Sequence, residues 1–323
     1  MKQFRSVFFV LIERFIEYRK ASGSWNEGYG QNIKLFDHFC ADHYQSDTTL
    51  TQAAVDAWCA KRSTETNGSH MKRIQVVRLF VDYLQCRELT NVIHPEMSKP
   101  EPSTYIPHAF EGDELSRFFQ ACDSIQPHLG RREAVIRKFT VPVFFRLLYS
   151  TGMRTTEARL LKKDNVDLGH GIIDIQKSKG YDQHYVAMHD TLTSLMERYD
   201  KAVAQLQPSR EYFFQSDKGS HYSRHWVSRN FRTLWGKANG TIASPVAYDL
   251  RHHYSVMNIN SWADDGFGFS DKLQYLSKSM GHRSIEATRY YYSIVPRLAE
   301  TLRDRTEKGF NAIVPEVVDD EDE

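Results

Sequence analysis

Four short segments of this chain carry side chains suited to breaking a phosphodiester and rejoining it. Arg154 ends Thr151-Gly152-Met153-Arg154, and Arg251 lies within Tyr248-Asp249-Leu250-Arg251-His252. A guanidinium presents a planar fork of N–H donors that matches two phosphate oxygens, so two arginines can hold one phosphate from two sides. Lys179, in the turn Lys177-Ser178-Lys179-Gly180, can supply a proton, and one of Tyr290-Tyr291-Tyr292 can attack phosphorus. His282, next to Gly281, can donate to a phosphate oxygen or relay the nucleophile's proton. Each residue also has a plainer reading. Arg154 can form a surface ion pair with Glu157, Lys179 can be a solvated turn residue, Tyr248 a packed aromatic, His282 a helix cap, and the tyrosine run ordinary core.

The elements that must position these groups follow from the apolar pattern. Phe4, Phe8, Leu11, Phe15 and Tyr18 form one helical stripe. Ile33, Phe36 and Phe39 predict a second helix over 27–44. Val55, Trp58 and Cys59 predict a third behind Thr51 as N-cap, and Ile74, Val77, Val81 and Leu84 a fourth starting near Ser69. Pro95, Pro100, Pro102 and Pro107 then disfavour helix and mark an extended linker. Beyond it, helices are expected over 111–123, 139–150 and 155–161, the second closed by Gly152. Two strands, 172–175 and 184–188, should flank the Lys179 turn, and the remainder to about Arg305 should be largely helical.

Residue types, chain order and spacing together resemble the tyrosine recombinases of the phage-integrase type. The likeness runs from about Tyr105 to Tyr292 and more loosely over the first 95 residues. It implies a mainly α fold with a small β-sheet: an N-terminal helical bundle of the SAM-like core-binding kind (1–93), a linker (94–107), a catalytic domain (108–312) and an acidic disordered tail (313–323). It also implies roles. Arg154 and Arg251 grip the scissile phosphate, and Glu157 and His252 support the site. Counting back from Val186-Ala187-Met188 selects Lys179 over Lys177 as the acid for the leaving 5′ oxygen. The family's spacing of nine residues from the box histidine, His282, selects Tyr291 as nucleophile. Tyr248 stands where that family usually has histidine. A phenol ordinarily titrates near pH ~10, so Tyr248 is a poor base near neutrality and is expected instead to donate a hydrogen bond to a phosphate oxygen.

The resemblance implies a metal-free, ATP-independent transesterification through a 3′-phosphotyrosine on a double-stranded recombination site, for a mobile element. It implies a tetramer on paired sites, with the 296–310 segment packing into a neighbour, and an accessory DNA-bending or directionality factor. The bundle would complete a clamp on the duplex. From charge alone, Lys72, Arg73, Arg78, Arg224 and Arg229 are candidate DNA contacts. Three alternatives stay open at this point: a type IB topoisomerase, a DNA-binding homologue weakened by Tyr248, and a metallohydrolase using His252, His253 and His282.

Composition permits this without arguing for it. Across 323 residues the net charge is +1. Glu316, Asp319, Asp320, Glu321, Asp322 and Glu323 account for part of that. Without them 42 basic residues face 35 acidic ones, a balance of +7. Nucleic-acid affinity depends on how charge is clustered rather than on its total. Cys40, Cys59, Cys86 and Cys122 form no CxxC pair and read as reduced core thiols. The sequence has no convincing signal peptide and no run near the ~20 apolar residues of a membrane span. A soluble cytoplasmic protein, on the nucleoid when bound to DNA, is the expectation.

Overall fold

The computed structural model describes residues 4–99, 101, 105–127, 130–176, 183–240, 245–262, 269–282 and 284–289. The chain divides into two compact units, Met1–Tyr105 and Ile106–Glu323. No helix among the described residues is long and apolar enough to cross a membrane.

Among its described residues the first unit holds four helices: α1 (Phe9–Ala21), α2 (Glu27–His43), α3 (Gln52–Cys59) and α4 (Asn67–Gln85). Three begin at side-chain caps that satisfy an orphan backbone N–H. Asn26 accepts from Gly28, Thr51 from Ala54 and Thr66 from Ser69. Their apolar faces meet in a core of Phe15, Ile33, Phe36, Trp58, Val77 and Phe80. A buried carboxylate sets the entry of the chain. Asp37 accepts from the Arg5 and Ser6 backbone N–H groups and from the Ser6 hydroxyl.

The described residues of the proline-marked stretch form no helix or strand, and 94–99 are pinned to this bundle. Arg78 donates to the Pro95 carbonyl, His94 pairs with Asp82 at 2.6 Å, His70 bonds Ser98, and Met97 packs on the core.

The second unit is built on α5 (Glu114–Asp123), α6 (Arg132–Thr151), α7 (Thr155–Leu160), α8 (Asp190–Ala204), α9 (Arg224–Asn239), α10 (Asp249–Asn260), α11 (Phe269–Ser279) and the short α12 (Glu286–Arg289). A three-stranded antiparallel sheet, β1 (Val166–Asp167), β2 (Ile172–Ile175) and β3 (His184–Ala187), lies between α7 and α8 in the chain. Ile172 pairs with Ala187 and Ile175 with His184. The core is strongly aromatic: Phe118, Phe144, Phe145, Phe213, Phe214 and Phe231 are all essentially inaccessible. Alternation on the two longer strands sends Ile173, Ile175 and Val186 into that core.

Candidate active site

Two helix ends make the site. α6 stops at Gly152, whose left-handed φ of +63° lets its N–H bond back to the Leu148 carbonyl. α11 stops at Gly281, φ +60°, in a Schellman arrangement. The His282 N–H reaches the Ser277 carbonyl and the Gly281 N–H reaches Lys278. Glycine is required at both for a second reason. A Cβ on Gly152 would lie 2.3 Å from the Tyr254 ring, and one on Gly281 2.6 Å from the His184 ring. Each turn is therefore clasped by an aromatic side chain from another element. Gly281→Ala is expected to combine backbone strain with overlap and to cost about 2–4 kcal/mol. Thermal denaturation checks this. An unchanged midpoint would mean that the clasp is loose.

The carbonyls at these helix ends carry partial negative charge, and both candidate arginines bind them. Arg251 is among the largest fully buried side chains, 1% exposed. Its Nη1 donates to the Gly152 carbonyl at 2.7 Å and its Nη2 to Met280 at 2.7 Å. Arg154 follows the α6 break and precedes α7. Its Nη2 donates to the Gly281 carbonyl at 2.7 Å, and its Nη1 to Glu157 Oε1 at 2.6 Å. Glu157, 3% exposed, also accepts the Arg154 backbone N–H at 2.7 Å. One carboxylate thus starts α7 and aims the guanidinium, which makes the pair a buried fixture rather than a surface ion pair.

His282 bonds Arg251 on one side and Thr288 on the other. Arg251 Nη2 donates to its Nε2 at 2.9 Å, and its Nδ1 meets Thr288 Oγ1 at 2.7 Å. A guanidinium has no acceptor, so Nε2 carries the lone pair and Nδ1 the proton. Burial, then Arg251 and Arg154, then His184 hold the imidazole's pKa down at about 3. In this arrangement it is neutral near pH 7.

The sign of the linkage follows. From about pH 6.5 down to 3, the unfolded chain binds a proton that the folded site refuses. Stability is therefore complete above that window and falls as pH drops through it. In His282→Gln, unfolding free energy should decline less between pH 6.5 and 4.5 than in the wild type. Equal declines in urea titrations would contradict the neutral-imidazole reading.

Arg154, Glu157, Arg251 and His282, spread over 129 positions, thus form one hydrogen-bonded cluster. Tyr248 stands at the start of α10, three residues before Arg251. It caps α10 without a side-chain cap bond, is 39% exposed, and sets its ring 5.1 Å from that of His252. Burial lowers the pKa of His252, which lies against the cluster's own helix. His253 packs between Phe110 and Tyr149 rather than beside His282. Lys179 and Tyr291 lie outside the described residues, as does the 296–310 segment. The strands before and after Lys179 in the chain are anchored at the site, because His184 opens β3 against Gly281.

Among the charge-based candidates, Arg73 is corrected. It is 6% exposed and forks onto Glu65 at 2.7 and 2.8 Å, with further bonds to the Trp58 and Ala60 carbonyls. That contact holds the Glu65 carboxyl down at about 2. Its charge is spent inside the bundle and is not available to a phosphate. Arg78 is half-buried on Pro95, whereas Lys72, Arg224 and Arg229 are exposed. Sequence reasoning missed His184, Tyr254 and Thr288. Only His184 left a signal: a polar residue at an inward position of an alternating strand.

The phage integrase family profile matches residues 108–296, more than half of the chain. This chain belongs to the phage integrase family. Among curated relatives of this family member, the tyrosine recombinase XerC of Bacillus pumilus is 25% identical over 302 residues, covering 87% of this chain and 90% of its own. Two solved structures share the fold. XerH recombinase bound to difH substrate in a pre-cleavage complex has a TM-score of 0.62 at 17% identity, covering 92% of this chain and 84% of that one. A lambda integrase tetramer bound to a Holliday junction has a TM-score of 0.55 at 14% identity, covering 87% and 76%.

Proposed function

We propose that this integrase-family chain is a site-specific DNA recombinase that cuts and rejoins strands through a 3′-phosphotyrosine, in the service of a mobile element. The observation that carries the reading is the convergence of Arg154, Arg251 and His282 on two adjoining helix ends. Arg251 is a buried cation facing carbonyls and a neutral imidazole, and its Nε has no acceptor among the described residues. Such a group is unusual in a folded interior and calls for an anion. A scissile phosphate supplies one.

In this mechanism Arg154 and Arg251 exchange some carbonyl contacts for non-bridging oxygens and spread the charge that builds in the transition state. Tyr291 attacks phosphorus, a bond forms from its phenolic oxygen, and the bond to the 5′ oxygen breaks. Lys179 delivers the proton to that leaving oxygen. Once Arg251 turns toward the phosphate, the donor at His282 Nε2 is gone and the phosphate's negative charge offsets the arginines that held the imidazole's pKa down, so the freed lone pair takes the phenolic proton. The bond energy is kept in the phosphotyrosine, so neither metal nor ATP is needed. A 5′ hydroxyl from a partner strand reverses the step and completes exchange. The first unit contributes further backbone contacts, Lys72 among them. A tetramer on paired sites, as in the lambda integrase likeness, and an accessory factor that bends DNA or sets direction complete the reading.

Covalent trapping tests it. A nicked suicide duplex bearing the recombination site, incubated with EDTA and without nucleotide, should give a protein–DNA adduct that survives denaturation. A requirement for metal or ATP, or the absence of any adduct, would overturn the reading. Tyr248→His should trap with yield unchanged or modestly higher, because the exposed phenol makes no hydrogen bond among the described residues. Complete loss of cleavage would contradict the hydrogen-bonding role given to Tyr248.

A further inference from the structure

A cavity of about 180 Å3 opens between α7, α9 and the turn into α10, next to the arginine cluster. Arg159, Arg224 and Arg232 line it, with the hydroxyl-bearing Thr155, Ser228 and Tyr248, and no carboxylate does among the described residues. Arg159 is 6% exposed. Its Nη1 donates to the Tyr222 carbonyl and lies 3.5 Å from His221 Nδ1, while its Nε finds no acceptor among the described residues. Burial and the neighbouring Arg224 both push its pKa down, so positive charge is crowded here.

The other buried arginines give the contrast. Arg73 pairs with Glu65 and Arg210 with Asp200. Only Arg159 and Arg251 lack a carboxylate among the described residues, and Arg251 belongs to the phosphate clamp. A buried guanidinium with no counter-ion is costly, and an external anion relieves that cost. Thr155 adjoins Arg154 and Tyr248 lies one helical turn before Arg251, so the cavity abuts the clamp. DNA presents charges at about 3.4 Å of axis per strand, so any duplex held at the clamp brings neighbouring phosphates within reach.

We propose that this cavity is a second anion subsite that takes a DNA backbone phosphate flanking the scissile one, with Arg159 as its floor and Arg224 and Arg232 as its walls. This rests on the DNA-recombinase reading above. A phosphate contact carries no sequence information, so it forms on any duplex and can be measured without knowing the recombination site.

The test is fluorescence anisotropy of the full chain with a labelled duplex of about 30 base pairs and arbitrary sequence, over a series of NaCl concentrations. Each neutralised phosphate contributes about 0.9 to the slope of log affinity against log salt. Arg159→Gln should lower that slope by about one and weaken binding several-fold, and Arg159→Lys should restore the slope. A residue that merely props the Tyr222 carbonyl would leave the slope unmoved. The exposed Arg232→Gln, which cannot disturb the core, should lower the slope in the same way and decides the matter if Arg159→Gln fails to fold. Wild-type slope and affinity in Arg159→Gln and Arg232→Gln, beside a wild type that binds normally, would overturn the subsite alone. A wild type that does not bind duplex DNA would overturn the recombinase reading and the subsite with it.

Discussion

Tyr291→Phe is expected to bind DNA as tightly as the wild type and to form no covalent adduct. The substitution removes one oxygen, the atom that becomes the ester bridge, and leaves the ring. Deleting a nucleophile that acts as part of a unit costs about six orders of magnitude in rate, beyond the reach of a trapping assay. Tyr290→Phe and Tyr292→Phe should still trap. In a helix neighbouring residues point about 100° apart, so three consecutive helical phenols could not share one target. Gel analysis of the three variants on the same suicide duplex settles which tyrosine is used. An adduct from Tyr291→Phe together with none from a neighbour would move the nucleophile.

The second large effect is expected at Arg251, where stability and chemistry depend on one side chain. Arg251→Ala strips the Gly152 and Met280 carbonyls of their donors inside the protein. Buried groups left unsatisfied cost about 1–3 kcal/mol each, so a loss of about 3 kcal/mol or more is expected in denaturant titrations. Removing a preorganised donor to the transition state adds a loss of about 100- to 1000-fold in adduct formation. Arg251→Lys should recover part of the stability and little of the rate, because an ammonium cannot fork to two carbonyls and a phosphate together. An Arg251→Ala chain as stable as the wild type would show that the two helix ends do not depend on the guanidinium. Full trapping activity in that variant would remove Arg251 from the clamp.

Local rules were enough for much of the architecture. The Thr51 cap, the β2 strand over 172–175, the Gly152 stop and the helix after it are all written in short-range pattern. α6 starts earlier than its apolar stripe suggests, at Arg132, because its first two turns carry Arg132, Glu133, Arg137 and Lys138 with only Ile136 fully buried. Arg73 shows the limit of reading charge as surface. Its partner Glu65 sits before α4, eight residues back, where helical spacing gives no hint of a bond. The site was legible in its residue types and their order. The manner of its assembly was not. That His184 and Tyr254 clasp two glycines, and that helix-end carbonyls hold two guanidinium groups, depends on contacts across roughly 100 residues that no local pattern encodes.

The central claim is that Arg154, Arg251 and His282 converge on one phosphorus within reach of residue 291. The crystal structure of the Tyr291→Phe chain on its duplex tests this most directly. The account predicts a single backbone phosphate with oxygens within about 3.2 Å of both guanidinium groups, and the substituted ring at position 291 aimed at its phosphorus, with His282 Nε2 facing the place of the missing phenolic oxygen. Guanidinium groups still confined to the Gly152, Met280 and Gly281 carbonyls, with every phosphate elsewhere and residue 291 remote from them, would contradict it.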